Sequence, residues 1–332
     1  MKIAVLDDFQ QVFRTLDCYP RLEGHDIVTF NDSVKDPAAL AERLQGFDAV
    51  VLTQQRTPLT RATIERLDRL VLVAQTGYHT AHIDLAACTE HGILVSGASA
   101  GPSIATAELT WALILAARRH LVEEVHSLKQ GRWQSTLGDG LFGRTLGIYA
   151  FGKTGAMVAP VGRAFGMRVL CWGRSGSLSR AAEAGYEVAQ SRESFFAESD
   201  IVTLHLPLNA ETRGIVTATD LAAMKPSALI VNTSRSAIIA AGALVQALKA
   251  GRPGHAAVDV YDNEPVTDPA SEKLLSMPNV LCTPHLGYVE RANYEKLFGG
   301  VVKSILAFDA GSPVDVANPD VLPIIAAKRA AS

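Results

Sequence analysis

Three charged side chains in the last third of the chain stand where apolar runs open into polar turns. Arg235 closes the run 231–235 (VNTSR), Glu264 lies in the acidic turn of 258–265 (VDVYDNEP), and His285 follows a proline in 281–287 (LCTPHLG). Each run reads as a strand followed by a turn. In an open α/β sheet, ligands collect at the carboxyl ends of the strands, so residues about 20 to 30 positions apart can converge there. Histidine is the proton donor whose unperturbed pKa lies nearest neutrality. A neighbouring carboxylate favours the imidazolium and fixes the ring. The guanidinium is a planar fork that matches a carboxylate bidentately and keeps its charge. This set suits reduction of a carbonyl beside a carboxylate: a proton for the new alkoxide and a clamp for the acid. Singly, each residue has a bland reading, as a surface ion pair, a turn residue before proline, or a loop histidine. Their shared position at three strand ends argues for a site.

Such a reaction needs a hydride carrier, and residues 145–156 (TLGIYAFGKTGA) have the strand–turn–helix character of a dinucleotide loop. Gly152 lets the main chain approach a pyrophosphate, Gly155 lets the helix pack closely on the sheet, and the helix N-terminus favours negative charge. Ala150 occupies the place of the usual first glycine. A tight turn without a ligand would look similar. The loop opens a six-strand alternation, however, and that context points to a nucleotide. The next strand, 168–172, ends in Gly173-Arg174-Ser175 with no carboxylate at its tip. An acidic residue there would hold the ribose hydroxyls of NAD and repel the 2′-phosphate of NADP. Arg174 and Ser175 offer that phosphate donors instead, so NADP is expected to be preferred over NAD.

The elements that must position these residues form two series. Strands are expected at 2–6, 26–30, 49–52, 71–74 and 93–95. Helices are expected at 37–44 and 60–67, the latter with Thr60 as its N-cap. Gly101-Pro102-Ser103 then punctuates the chain, with Pro102 suited to a first helical turn. Residues 104–118 read as a helix apolar on nearly every side, as in one buried between two layers or two domains. A loop-like stretch follows at 131–143. The second series has strands at 146–151, 168–172, 201–204, 229–232, 256–260 and 280–283, and a helix at 290–308. Strands alternating with helices imply parallel sheets with right-handed crossovers.

Bulk composition excludes several classes. The 332 residues suit two domains. Hydrophobic residues at 48% and charged residues at 20% describe a globular chain. A net charge of -3 provides no basic field for nucleic acid or an anionic membrane. Cys18, Cys88, Cys171 and Cys282 form no C-x-x-C pair, so no metal site is expected. The apolar stretch 109–117 is far short of the ~20 residues of a membrane span, and Met1-Lys2 leads directly into a strand. A soluble cytoplasmic protein is the expectation.

The turns NTSR, DVYDNEP and TPHLG, in that order, resemble the signatures of the D-isomer-specific 2-hydroxyacid dehydrogenases, a family that includes glyoxylate/hydroxypyruvate reductases and 3-phosphoglycerate dehydrogenases. Residues 107–115 (AELTWALIL) resemble its domain-crossing helix. The resemblance covers nearly the whole chain. It implies two doubly wound parallel-sheet α/β domains: a Rossmann nucleotide-binding domain, 100–288, inserted into a flavodoxin-like substrate-binding domain, 1–99 plus 289–332. It implies His285 as acid/base, Glu264 as its partner and Arg235 as binder of a small 2-keto or 2-hydroxy acid. It implies cofactor contacts at Thr106, Lys153, Thr154, Pro207, Thr233, Ser234, Asp259 and Gly287, beside Gly152, Gly155, Arg174 and Ser175. Main-chain N–H groups of Thr76, Gly77 and Tyr78 would hold the substrate carboxylate. A homodimer joined through the nucleotide-binding domain is also implied. Departures occur at Ala150, at Ser236-Ala237 after Arg235 where glycine is usual, and at Ala240-Ala241 where an acidic pair is common. The alternatives are a nucleotide-sensing binding protein of corepressor type, marked by appended tails or partner-binding surfaces, and a formate- or phosphite-type dehydrogenase, of which the formate enzymes carry extra N-terminal sequence not expected here.

Overall fold

The computed structural model describes residues 1–98 and 104–330. The expected break at Gly101-Pro102-Ser103, with Pro102 in a first helical turn, lies outside the described residues. The chain divides into two compact units, Met1–Gly101 with Glu290–Ser332, and Pro102–Val289.

The first unit holds a five-stranded parallel sheet. Its strands are β1 (Lys2–Val5), β2 (Asp26–Thr29), β3 (Ala49–Leu52), β4 (Leu72–Thr76) and β5 (Leu94–Ala98), ordered β2-β1-β3-β4-β5. β3, β4 and β5 are buried along their whole length, which is why they read as unbroken apolar runs. Helix Pro37–Leu44 starts with proline in its first turn, and the Asp36 carboxylate accepts from the N–H groups of Ala38 and Ala39. The expected helix at 60–67 is one turn only, Arg61–Ile64. Thr60 precedes it but its hydroxyl caps nothing. Beyond Ile64 the chain tightens: Arg66 N–H donates to Thr63 O and Leu67 N–H to Ile64 O, the i→i+3 bonds of a closing turn. Helix Arg291–Asp309 begins where the Glu290 carboxylate accepts from Ala292 and Asn293 N–H, and it covers β4 and β5.

The second unit holds a seven-stranded parallel sheet. Its strands are β6 (Thr145–Tyr149), β7 (Arg168–Trp172), β8 (Glu187–Val188), β9 (Ile201–Leu204), β10 (Leu229–Asn232), β11 (His255–Val258) and β12 (Val280–Cys282). The order β12-β11-β10-β9-β6-β7-β8 reverses direction between β6 and β9. That is the topological switch point at which α/β sheets bind ligands. β8 was not legible in the sequence: it is a two-residue edge strand with Glu187 exposed, too short to show a period. Helix Ala105–Arg118 buries Ala107, Trp111, Leu113 and Ile114 on one face, while Glu108 and Ala112 are exposed. Its burial is therefore one-sided, although the helix is apolar on nearly every side. Trp111 anchors it by donating from Nε1 to Val158 O at 3.1 Å, on helix Lys153–Ala164. A further helix, Leu121–Lys129, leads into an irregular stretch at 131–143.

Candidate active site

The glycine loop starts where β6 leaves the sheet. Ala150 adopts φ +76°, a left-handed conformation that glycine takes without strain and alanine does not. Its N–H donates to Trp172 O at 2.7 Å, and Phe151 N–H donates to the Ser177 hydroxyl at 2.6 Å. Helix Lys153–Ala164 follows, with Gly152 before it and no side chain capping its first turn. A Cβ on Gly155 would lie 2.6 Å from Ala150 O and 3.0 Å from Ile148 Cγ2, so only glycine permits this approach of helix and strand. A Cβ on Gly152 would meet no atom within 4 Å, so its main chain faces open space. A backbone cradle open at Gly152, beside the N–H groups a helix start leaves without intrahelical partners, fits the pyrophosphate of a dinucleotide.

At the tip of β7, Gly173 and Arg174 stand as the sequence placed them. Arg174 is exposed and ion-paired with Glu211. Glu211 lies in the turn after β9, which Asn209 shapes by accepting from the N–H groups of Glu211 and Thr212. No local signal announces this pairing, which joins loops 37 residues apart. Pro207 is exposed, and its carbonyl accepts from the Thr212 hydroxyl. Ser175 opens helix Ser175–Glu183 and is exposed.

The ends of β10, β11 and β12 bring the charged residues together. His285 Nδ1 lies 2.5 Å from Glu264 Oε2. Glu264 Oε1 accepts the N–H of Tyr261 at 2.8 Å. The pair is partly buried, at 22% and 25% side-chain exposure, so an approaching ligand can still reach it. The Tyr288 ring stands edge-on to the imidazole, 5.6 Å between centroids. Arg235 follows β10 and is half-buried, with Nη1 donating to Ser234 O at 2.7 Å. Burial lowers its pKa from the ordinary arginine value, against the attraction of Glu264 and Tyr288. Its turn is shaped by Asn232, which donates to Arg235 O and accepts from Ser234 N–H.

Asp259 is fully buried. Its Oδ1 accepts from the Thr283 hydroxyl at 2.6 Å and Leu286 N–H at 2.7 Å, and Oδ2 accepts from Gly287 N–H at 2.8 Å. Burial raises its pKa while these donors pull it down. The carboxylate thus organises the loop that carries His285, a task the sequence did not suggest. Thr106 donates to Gly287 O at 2.8 Å, and Thr233 shares a hydroxyl contact with Thr110. In the first unit, Thr76-Gly77-Tyr78 follows β4. Thr76 is buried, Tyr78 is exposed, and the Gly77 N–H donates to Ala98 O at 2.8 Å within that unit. No cluster of metal-ligating side chains occurs among the described residues, and none of their helices is long and apolar enough to cross a membrane.

Comparison with known proteins agrees with this architecture. Residues 111–287 match the family model described as D-isomer specific 2-hydroxyacid dehydrogenase, NAD binding domain. A glyoxylate reductase of Thermococcus litoralis is 34% identical over 303 residues, 87% of this chain and 90% of its own. A D-3-phosphoglycerate dehydrogenase of Methanocaldococcus jannaschii is 36% identical over 250 residues, which cover 75% of this chain and 47% of its own. A solved phosphoglycerate oxidoreductase of Vibrio cholerae O395 is 47% identical with a TM-score of 0.89, over 94% of this chain and 99% of that one. The second unit is an NAD-binding Rossmann domain of an oxidoreductase. The chain belongs to the D-isomer specific 2-hydroxyacid dehydrogenase family.

Proposed function

We propose that this protein interconverts a small 2-keto acid and its D-2-hydroxy acid, with His285 as the acid/base. The observation that carries this reading is the His285–Glu264 contact at 2.5 Å, at strand ends of the NAD-binding domain. Nδ1 is engaged by Glu264, so Nε2 is the nitrogen that exchanges a proton with the substrate oxygen. Glu264 stabilises the charged ring while Tyr261 N–H holds the carboxylate in place. Arg235 binds the substrate carboxylate, and its partial burial strengthens that charge-assisted contact. When bound, the nicotinamide supplies or accepts the hydride. Gly152, Lys153, Thr154 and Gly155 would hold its pyrophosphate. Arg174 and Ser175 would favour NADP over NAD, although a 2′-phosphate must first take Arg174 from Glu211. The first unit is assigned to the substrate. The names of relatives, glyoxylate reductase and D-3-phosphoglycerate dehydrogenase, support a small anionic substrate.

We also assign a homodimer joined through the nucleotide-binding unit. Val122, Val125, Leu128, Trp133 and Leu137 are all more than half exposed there, an apolar surface that a second copy would cover. Loss of dimer mass in light scattering on Leu137→Glu tests it.

The test of the activity is turnover of glyoxylate, hydroxypyruvate and pyruvate, followed by nicotinamide absorbance, in the native protein and in His285→Ala. We expect activity on at least one acid, a kcat lower by about 10²–10⁴ in the variant, and nearly unchanged nucleotide binding. A variant with near-native turnover removes His285 from the mechanism.

A further inference from the structure

Beyond the strand β11 the chain stays close to β12, and two residues spaced by two, Asp259 and Tyr261, both reach the β12 turn. Asp259 holds the loop around His285 through Thr283, Leu286 and Gly287. Tyr261 does something separate. Its main-chain N–H donates to Glu264 Oε1 at 2.8 Å, and its hydroxyl donates to Thr283 O at 2.9 Å. The same Thr283 carbonyl accepts the N–H of His285 at 3.0 Å. One residue therefore touches the carboxylate of the pair directly and the histidine through the carbonyl its backbone hangs on.

That backbone needs holding. His285 has φ +52°, a left-handed conformation that a side chain with a Cβ resists. Such conformations persist only where surrounding bonds over-determine them. Tyr261 is buried and belongs to the same apolar cluster as Leu204, Leu244 and Val258, which restrains its ring. Burial, with the nearby Cys282 thiol, holds its phenol far above the usual range, so the hydroxyl stays a donor throughout the working pH.

We propose that Tyr261 is the positioning residue of the acid/base pair, fixing Glu264 through its main chain and the His285 turn through its hydroxyl. This rests on the reading of His285 as proton donor. Tyr261→Phe keeps the ring and the N–H to Glu264 and deletes the hydroxyl, with its bond to Thr283 O and its contact with the Cys282 thiol. Misplacing a reacting group by a fraction of an ångström costs rate without costing affinity. The expected result is a kcat about ten-fold lower, with the KM for the keto acid, the dissociation constant of the nicotinamide and the melting temperature held. The solvent deuterium isotope effect on kcat should rise, because proton delivery becomes slower relative to the other steps. A purely architectural role would lower the melting temperature and leave the isotope effect alone.

His285→Ala measured alongside separates the two claims. If His285→Ala keeps its turnover, the acid/base reading fails. If His285→Ala is inactive while Tyr261→Phe has native kcat and a native isotope effect, the positioning role alone is overturned. A loss of kcat matched by losses of nucleotide affinity and melting temperature also overturns it, since the defect would then be one of folding.

Discussion

Gly155→Ala sets two rules against each other. Gly155 lies in the first turn of helix Lys153–Ala164. Helix propensity alone favours alanine there by about 0.8–1.0 kcal/mol. The fold says otherwise, because the added Cβ would lie 2.6 Å from Ala150 O and 3.0 Å from Ile148 Cγ2. Ile148 is a side chain and can yield a little. The Ala150 carbonyl is main chain, already fixed by the Ala150 N–H to Trp172 O and by the next residue's bond to Ser177. Overpacking of this kind costs about 1–3 kcal/mol, and a backbone clash belongs at the upper end. Subtracting the helical gain leaves a net loss of roughly 2 kcal/mol. All three tryptophans, Trp111, Trp133 and Trp172, lie in the second unit, so urea unfolding followed by tryptophan fluorescence reports the unit that carries the loop. With a slope of about 2 kcal/mol per molar urea, the midpoint should fall by about 1 M. Nucleotide affinity should fall as well, because the helix start moves away from the strand. A midpoint equal to or above that of the native protein would refute the close approach of helix and strand.

Three other perturbations have defined outcomes. Arg235→Lys replaces a fork with a point charge, so KM for the keto acid should rise and kcat fall together in steady-state kinetics; native kinetics would make Arg235 only structural. Arg174→Ala should lower kcat/KM with NADPH more than with NADH, and an unaltered ratio would show that another group reads the 2′-phosphate. Acidification should destabilise both units. His82 in the first and His205 in the second are pushed down to about 4 by burial, so between pH 6.5 and 4 the unfolded chain binds protons that the fold refuses. Stability therefore rises with pH through that window, by up to roughly 2–3 kcal/mol per histidine, and a urea midpoint that stays flat from pH 7.5 to 5 would contradict it.

The parts of this fold that were legible in the sequence are those in which one residue carries its own signal. Strands such as β3, β4, β6, β9 and β10 showed as apolar runs because each is buried along its whole length. Arg235, Glu264 and His285 showed because each ends such a run, and the fold sets Glu264 and His285 in direct contact. What stayed hidden depends on partners distant in the chain. Nothing at Glu211 announces that it pairs with Arg174, since an acidic residue in a polar turn is ordinarily solvated. Thr60 looked like a helix cap, but the helix it precedes is a single turn with no cap bond. Asp259 resembled a nucleotide contact, and the fold gives its carboxylate three protein donors in the His285 loop.

Two non-glycine residues with left-handed backbones stand at the ends of site strands, and their placement has a common cause. Each marks a turn that leads the chain out of the ladder. Ala150 does this after β6 and His285 shortly after β12, at φ +76° and +52°. Each conformation costs on the order of 1–2 kcal/mol in a residue with a Cβ. At Ala150 a glycine would remove the cost, and the neighbouring bonds to Trp172 and Ser177 sustain the turn without one. At His285 glycine is no remedy, because it would delete the imidazole that contacts Glu264. The strain there must be balanced by bonds to the surrounding loop. Asp259 supplies three such bonds from a fully buried carboxylate, and Tyr261 ties the same loop to the turn that carries Glu264. The density of hydrogen bonds beneath His285 therefore follows from holding an imidazole at a left-handed backbone position that glycine would adopt without strain.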